Sequence, residues 1–227
     1  MRRADDLFTF ETRAAASDLV TATWSTQSGQ EAWFTSVAAV PWEMVVTRQE
    51  AGAWLTVRGP EVRATPAPVP RDAEIFGIQF SLGTFMPGLD MRRLVGTGLV
   101  LPAAPGGAFR LDGGMWEMPG PDDADVFVDR LVGAGLLAHD PVVAAAVHGD
   151  VTGLSPRSVE RRVARATGLT RGAIRQIRRA DEAVELLGRG VAPHEVARRA
   201  GYADQPHLTR SLKRFVGSTP AQLAARP

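Results

Sequence analysis

The feature that most constrains this chain is a duplication in its last third. At an offset of 49 residues, the stretch opening Gly153-Leu-Ser-Pro-Arg matches the stretch from Gly201 to Gly217. Ser155 aligns with Asp204, Val159 with Leu208, Val163 with Leu212 and Ala166 with Phe215. Arg161 aligns with Arg210, Arg165 with Arg214, Gly168 with Gly217 and Thr170 with Thr219. A solenoid needs about three or more repeats, so two copies make a duplicated unit instead.

Each copy reads as one amphipathic helix. Ser155 and Asp204 are good N-caps, because their side-chain oxygens accept first-turn amides that otherwise lack partners. Pro156 takes the first helical position, where a missing N–H costs nothing. Residues 159, 163 and 166, and equally 208, 212 and 215, form an apolar stripe at helical period. Arg157, Arg161 and Arg165 lie opposite in the first helix; Pro206, Arg210 and Arg214 lie opposite in the second, with Lys213 beside them. Gly168 and Gly217 close the two helices as left-handed caps. Before the second copy, Pro193–Ala200 reads as a short helix stopped by Gly201, which completes a helix-turn-helix of the kind a major groove accepts. Between the copies, Ala173, Ile177, Ala180, Val184 and Leu187 mark a connecting helix of about four turns at helical pitch.

Charge separates this third from the rest. The net charge is only +1, but residues 1–150 carry 11 Arg against 19 Asp and Glu, a balance of −8. Residues 151–227 carry 14 Arg and Lys213 against six acids, a balance of +9. A basic module on an acidic one points to a polyanion partner for the basic end. A solvated basic surface is the plainer alternative.

Residues from about 150 to 227 resemble the double helix-turn-helix DNA-binding domain of AraC/XylS-type transcription regulators. The resemblance rests on Gly-Leu-Ser-Pro-Arg-Ser-Val-Glu-Arg-Arg (153–162), Ala-Thr-Gly-Leu-Thr (166–170) and Glu-Val-Ala-Arg-Arg-Ala-Gly-Tyr (195–202). It rests further on Gln-Pro-His-Leu-Thr-Arg-Ser-Leu-Lys-Arg-Phe (205–215) and Gly-Ser-Thr-Pro-Ala-Gln-Leu (217–223). It implies double-stranded DNA as partner, with one helix of each unit in adjacent major-groove segments roughly 34–36 Å apart. The positions matching the family's base readers are Arg157, Glu160 and Arg161 in the first unit, and Gln205, Pro206, His207 and Arg210 in the second. Arg can fork onto guanine, Gln can pair with adenine and Glu can accept from cytosine. Arg165, Lys213 and Arg214 are expected on phosphates. One departure stands out: Gly149 and Asp150 fall where the first unit's supporting helix would continue, and both are poor helix formers. That scaffold is expected to be shortened or displaced.

The acidic two-thirds are less specific. Ala32–Val40, Trp42–Arg48, Ala53–Arg58, Glu74–Phe80 and Thr97–Leu101 read as short strands, with Pro60, Pro66, Pro68 and Pro70 punctuating the connections. An α+β chain is expected: a small, mainly antiparallel β domain over 1–118, a barrel or sandwich, then a helical linker or dimerisation helix over 119–140, then the double helix-turn-helix over 141–227. Pro87–Val95 reads as a short helix. Over 121–138 the period turns helical, with Asp122 or Asp123 as cap and a stripe of Ala124, Phe127, Val128, Leu131 and Val132 that suits either the sheet or a dimer partner. Family members often carry a cupin-like barrel here that binds a small effector, dimerises, or both. Effector-wall candidates are Trp33, Trp42, Trp54 and Trp116, with an Arg as anchor. The plainer reading is the stronger one, since tryptophan in a small β domain is usually core.

Other classes lose support. With 44% apolar and 22% charged residues the chain is not a disordered one. There is no cysteine, hence no thiol nucleophile or thiolate zinc site. The four histidines (139, 148, 194 and 207) lie outside the strand region, which removes a metal-dependent cupin enzyme. No nucleotide loop or nucleophile elbow occurs. The expectation is therefore a cytoplasmic regulator, not an enzyme, with no cofactor, no metal and no membrane segment. Family habit adds contact with RNA polymerase, activation more often than repression, and homodimerisation. The rivals are an architectural DNA binder without a fixed site and a small-molecule-binding domain with an incidental basic tail.

Overall fold

The computed structural model describes residues 2–3, 10–151 and 153–225. Strands are numbered β1–β14 and helices α1–α7 in chain order. The largest sheet has six strands, in spatial order β10 (Gly98–Val100), β6 (Gly52–Arg58), β5 (Glu43–Gln49), β8 (Ala73–Phe80), β3 (Val20–Ser28) and β2 (Glu11–Arg13), every neighbouring pair antiparallel. A smaller sheet sets β4 (Ala32–Ser36) between β1 (Arg2–Arg3) and β7 (Thr65–Val69). Two further antiparallel units are β11 (Ala103–Ala104) with the hairpin β12 (Ala108–Leu111) and β13 (Gly114–Glu117), and the pair β9 (Thr84–Phe85) with β14 (Ala138–His139).

The expected strands Trp42–Arg48, Ala53–Arg58 and Glu74–Phe80 form the centre of the large sheet as β5, β6 and β8, and Ala32–Val40 and Thr97–Leu101 shorten to β4 and β10. The sheets are not closed into a barrel, so that branch of the expectation falls. Physically, the end strands β2 and β10 have three residues each, too short to carry the sheet round onto itself. Three elements escape the sequence pattern. β3 is rich in Thr and Ser, with Thr23, Thr26 and Ser28 buried in place of an apolar run and Ser28 Oγ donating to the Pro70 carbonyl at 2.6 Å. β7 contains Pro66 and Pro68, which read as connection residues; they are tolerated because β7 is an edge strand and needs no amide on its outer side. The β12–β13 hairpin is short and only half apolar.

Met44, Val46, Leu55, Val57, Ile78 and Phe80 are fully buried. Each such side chain contributes about 1.5–3 kcal/mol on leaving water. Trp42 stacks on Phe80 with centroids 4.0 Å apart and donates its indole N–H to the Thr84 carbonyl at 2.7 Å. Val45 and Thr47, which alternation places on the outer face, are buried too. The small sheet covers that side.

The helical stripe after Pro121 forms α1 (Ala124–Gly133); Asp123 stands at its N-cap position but makes no capping bond, its carboxylate accepting instead from the Gly120 amide at 2.6 Å, and the turn after Pro121 and Gly135 in the left-handed region make it shorter than 121–138. Phe127 meets Phe109 and Trp116 edge-on at 6.2 and 6.3 Å, so the stripe packs on the β12–β13 hairpin of its own chain. Val132 departs from it and is 42% exposed. The helix expected over Pro87–Val95 is a single 3-10 turn, Met91–Leu94, capped by Asp90.

The basic third folds as α2 (Pro141–His148), α3 (Pro156–Thr167), α4 (Arg171–Gly188), α5 (Pro193–Arg199), α6 (Gln205–Phe215) and α7 (Pro220–Ala224). Ile174, Ile177, Ala180, Ala183 and Leu187 bury one side of α4, the rod against which the other helices pack. The buried apolar residues of sheets and helices join in one continuous core.

Candidate nucleic-acid interface

Ser155 and Asp204 cap α3 and α6 as their chemistry requires, accepting from the amides of Ser158 at 3.2 Å and His207 at 2.6 Å. Val159, Val163 and Ala166, and Leu208, Leu212 and Phe215, are buried. The opposite faces are open: Arg157, Arg161, Gln205, Pro206 and Arg210 are exposed. Among the described residues none of the Arg157, Arg161 and Arg210 guanidinium groups has an ion pair, so each keeps its full fork of donors. Two helices of the same construction, each with uncommitted guanidinium groups on its free side, are braced on one rod.

The remaining candidates are partly engaged. Glu160 accepts from Arg171 Nε at 2.7 Å, tying α3 to the start of α4, and that hydrogen bond holds its carboxyl below the usual carboxylate range. A base contact by Glu160 requires this pair to open. His207 is half-buried, edge-on to Tyr202 at 5.2 Å. Arg165 lies over the Phe85 ring at 4.9 Å and Arg214 over Phe215 at 5.0 Å, while Lys213 is exposed.

The first supporting helix is complete but displaced. α2 runs from Pro141, capped by Asp140, and ends at Gly149 in the left-handed conformation. Seven residues, 149–155, separate it from α3, against the five residues 200–204 between α5 and α6. The extra turn length absorbs Gly149 and Asp150. Arg162 returns to Asp140 with both carboxylate oxygens 3.1 Å away, fixing α3 to the start of α2.

Residues 149–226 match the family model of a helix-turn-helix domain. The helical third is an AraC-type helix-turn-helix domain. A domain of this kind is a DNA-binding module, carried here on the C-terminal third of the chain. Among solved structures, ToxT from Vibrio cholerae is similar to it at 10% identity and a TM-score of 0.42, over 95% of this chain and 98% of ToxT. No curated protein sequence matches the chain.

The helical domain is docked on the β-rich region just past both α3 and α6. A Cβ at Gly168, just past α3, would lie 2.6 Å from the Met91 carbonyl oxygen. At Gly217, just past α6, it would lie 2.9 Å from Thr35 Cγ2 and 3.2 Å from Ala64. Equivalent glycines of the two repeats thus press on the β-rich region at different places.

That region holds a cleft between the six-stranded and the small sheet, made of two adjoining cavities of about 300 and 510 Å³ that share Phe10, Trp24, Phe34 and Arg58. Trp33, Trp42, Trp54 and Trp116 do not line it. Trp33 is 56% exposed, Trp42 is core and Trp116 packs on α1. The tryptophan that does line it is Trp24, whose indole crosses β8 at Gly77, where any Cβ would collide with the ring. Arg58 lines it too, with Nη1 3.1 Å from Glu43 and Nη2 2.9 Å from Glu61. Glu43 also accepts the Trp24 indole N–H at 3.0 Å. Burial raises the Glu43 pKa, opposed by Arg58 and by the Trp24 hydrogen bond. Alternation along Val20–Ser28 is the sequence signal that points to Trp24; nothing local links Glu43 with Arg58 and Glu61. Among the described residues no three His, Asp or Glu side chains group to hold a metal, and no helix is long and apolar enough to cross a membrane.

Proposed function

We propose that this protein is a site-specific, cytoplasmic transcription activator whose 141–227 region reads DNA and whose 1–118 region is regulatory, with 119–140 as the joint between them. The observation that carries the reading is the pair of uncommitted arginine faces on α3 and α6 held by α4. Arg157, Glu160 and Arg161 read one major-groove segment, Glu160 by leaving Arg171, and Gln205, Pro206, His207 and Arg210 read the next. Lys213, Arg165 and Arg214 contact phosphates, Arg165 by leaving Phe85. Activation proceeds through RNA polymerase, and two copies associate on their operator. A small effector enters the cleft between the sheets, whose volume suits one.

Selection of fragmented genomic DNA by the purified protein at physiological salt tests this, with the Arg161→Ala/Arg210→Ala double variant alongside. An enriched motif with two contacted segments about one helical turn apart, lost in the variant, supports site-specific regulation. Uniform recovery abolished by salt would favour an architectural binder.

A further inference from the structure

We infer that the cleft between the sheets takes a small organic cation, an ammonium group on an aromatic or branched aliphatic body. The inference rests on the effector reading above and gives it a ligand class. The rings of Phe10, Trp24 and Phe34 line both halves of the cleft. Phe10 and Trp24 meet edge to face, with centroids 5.6 Å apart and planes at 72°, so they present differently oriented surfaces to one volume. Aromatic faces attract ammonium groups and disfavour anions, which is the basis of aromatic cages.

Charge in the lining points the same way. Among the described residues the ionisable ones that line it are Glu43, Glu61 and Arg58: two carboxylates about one guanidinium, a formal excess of one negative charge. Both terminal nitrogens of Arg58 are already engaged, one by each carboxylate. An anionic ligand would have to displace one carboxylate from Arg58 and would add a third negative charge around a single guanidinium in a half-dry site. A cation supplies the missing charge and leaves the existing pairs in place. The Glu43 and Glu61 side chains are only 18% and 17% exposed, so water competes weakly for that cation.

The same carboxylate reaches the recognition helix. Glu61 accepts from Ser36 Oγ at 2.8 Å and Thr65 Oγ1 at 3.2 Å, joining the ends of β4 and β7. Its backbone pairs with Ala39 through two bonds of 2.9 Å, and the adjacent Ala38 amide holds the Phe215 carbonyl of α6 at 2.7 Å. A cation drawn to Glu61 therefore acts on the wall that positions α6.

The test uses the full chain and three probes of similar size: benzyltrimethylammonium, benzyl alcohol and phenylacetate, followed by tryptophan fluorescence. We expect the cation to bind roughly tenfold or more tightly than either other probe. Trp24→Phe should remove most of the signal, and Glu61→Gln and Glu43→Gln should each weaken the cation several-fold while leaving benzyl alcohol unchanged. Amide exchange at 214–217 should shift when the cation is bound. Tighter binding of phenylacetate overturns the charge assignment yet leaves the cleft as an effector site. A cation signal that survives Trp24→Phe overturns the location. Failure of all three probes to bind overturns the cleft reading itself. The comparison among probes on the unaltered protein does not depend on any variant folding.

Discussion

The amide of Ala38, in the loop after β4, donates to the carbonyl of Phe215, the last residue of α6, at 2.7 Å. Two residues on from Val62, the Ala64 amide does the same for Arg214 at 2.8 Å. The last carbonyls of a helix have no partner within it. Here the β-rich region supplies partners for two of them, so the orientation of α6 is set by a surface from the other end of the chain.

Loss of a base-reading guanidinium should be felt mainly at the cognate site. Arg161→Ala and Arg210→Ala are each expected to weaken operator binding by about 1–3 kcal/mol and to relax preference at the contacted base. Anisotropy titrations on the operator and on single-base variants check this. Unchanged base preference would remove these two residues from direct readout.

Lys213 is expected to act through charge alone. Lys213→Ala should weaken binding to all sequences alike and reduce the slope of log affinity against log salt by about 0.9. A salt series on operator and random DNA measures both. An effect confined to the operator would make Lys213 a base reader.

Gly168 and Gly201 separate docking from backbone strain. Both are left-handed, at φ +71° and +70°, but a Cβ at Gly201 meets nothing within 4 Å whereas at Gly168 it meets the Met91 carbonyl. Gly201→Ala should cost about 1 kcal/mol for the conformation alone. Gly168→Ala should cost about 1–3 kcal/mol more, as overpacked sites do. Denaturant titrations of both variants decide it, and equal losses would mean that the contact gives way freely.

Glu43 should make stability pH-dependent with a definite sign. Its folded-state pKa is raised above the ordinary 4.5, with burial the largest cause. The folded state then holds its proton longer than the unfolded state does. The contribution is most favourable below the ordinary value and is lost as pH rises through the raised one. The thermal midpoint of the unaltered protein relative to Glu43→Gln should therefore fall as pH increases across that interval. A relative rise would show that the Arg58 pair outweighs burial.

Much of the helical third was legible locally. Ser155, Asp204, Gly168, Gly217 and the two apolar stripes act within a turn or two of their own helix, so spacing was enough to locate α3 and α6. The capping pair Thr219–Gln222 at the start of α7 is of the same kind, although its motif was noted only through resemblance. The displaced first scaffold was signalled by Gly149 and Asp150; where the helix went instead, to Pro141–His148, was decided by its packing on α3 and α4.

The cleft shows the opposite case. Glu43, Arg58 and Glu61 come from β5, the end of β6 and the loop beyond it, and Trp24 reaches them from β3 only because Gly77 leaves room. Single residues of these types are ordinary in a small β domain, and the tryptophans that composition made conspicuous went to core and surface. The sequence by itself determined which helices form and which of their faces stay polar, because capping and periodicity are local effects. Tertiary structure alone decided which charges share a cleft and which surface holds α3 and α6, because those depend on contacts between residues far apart in the chain.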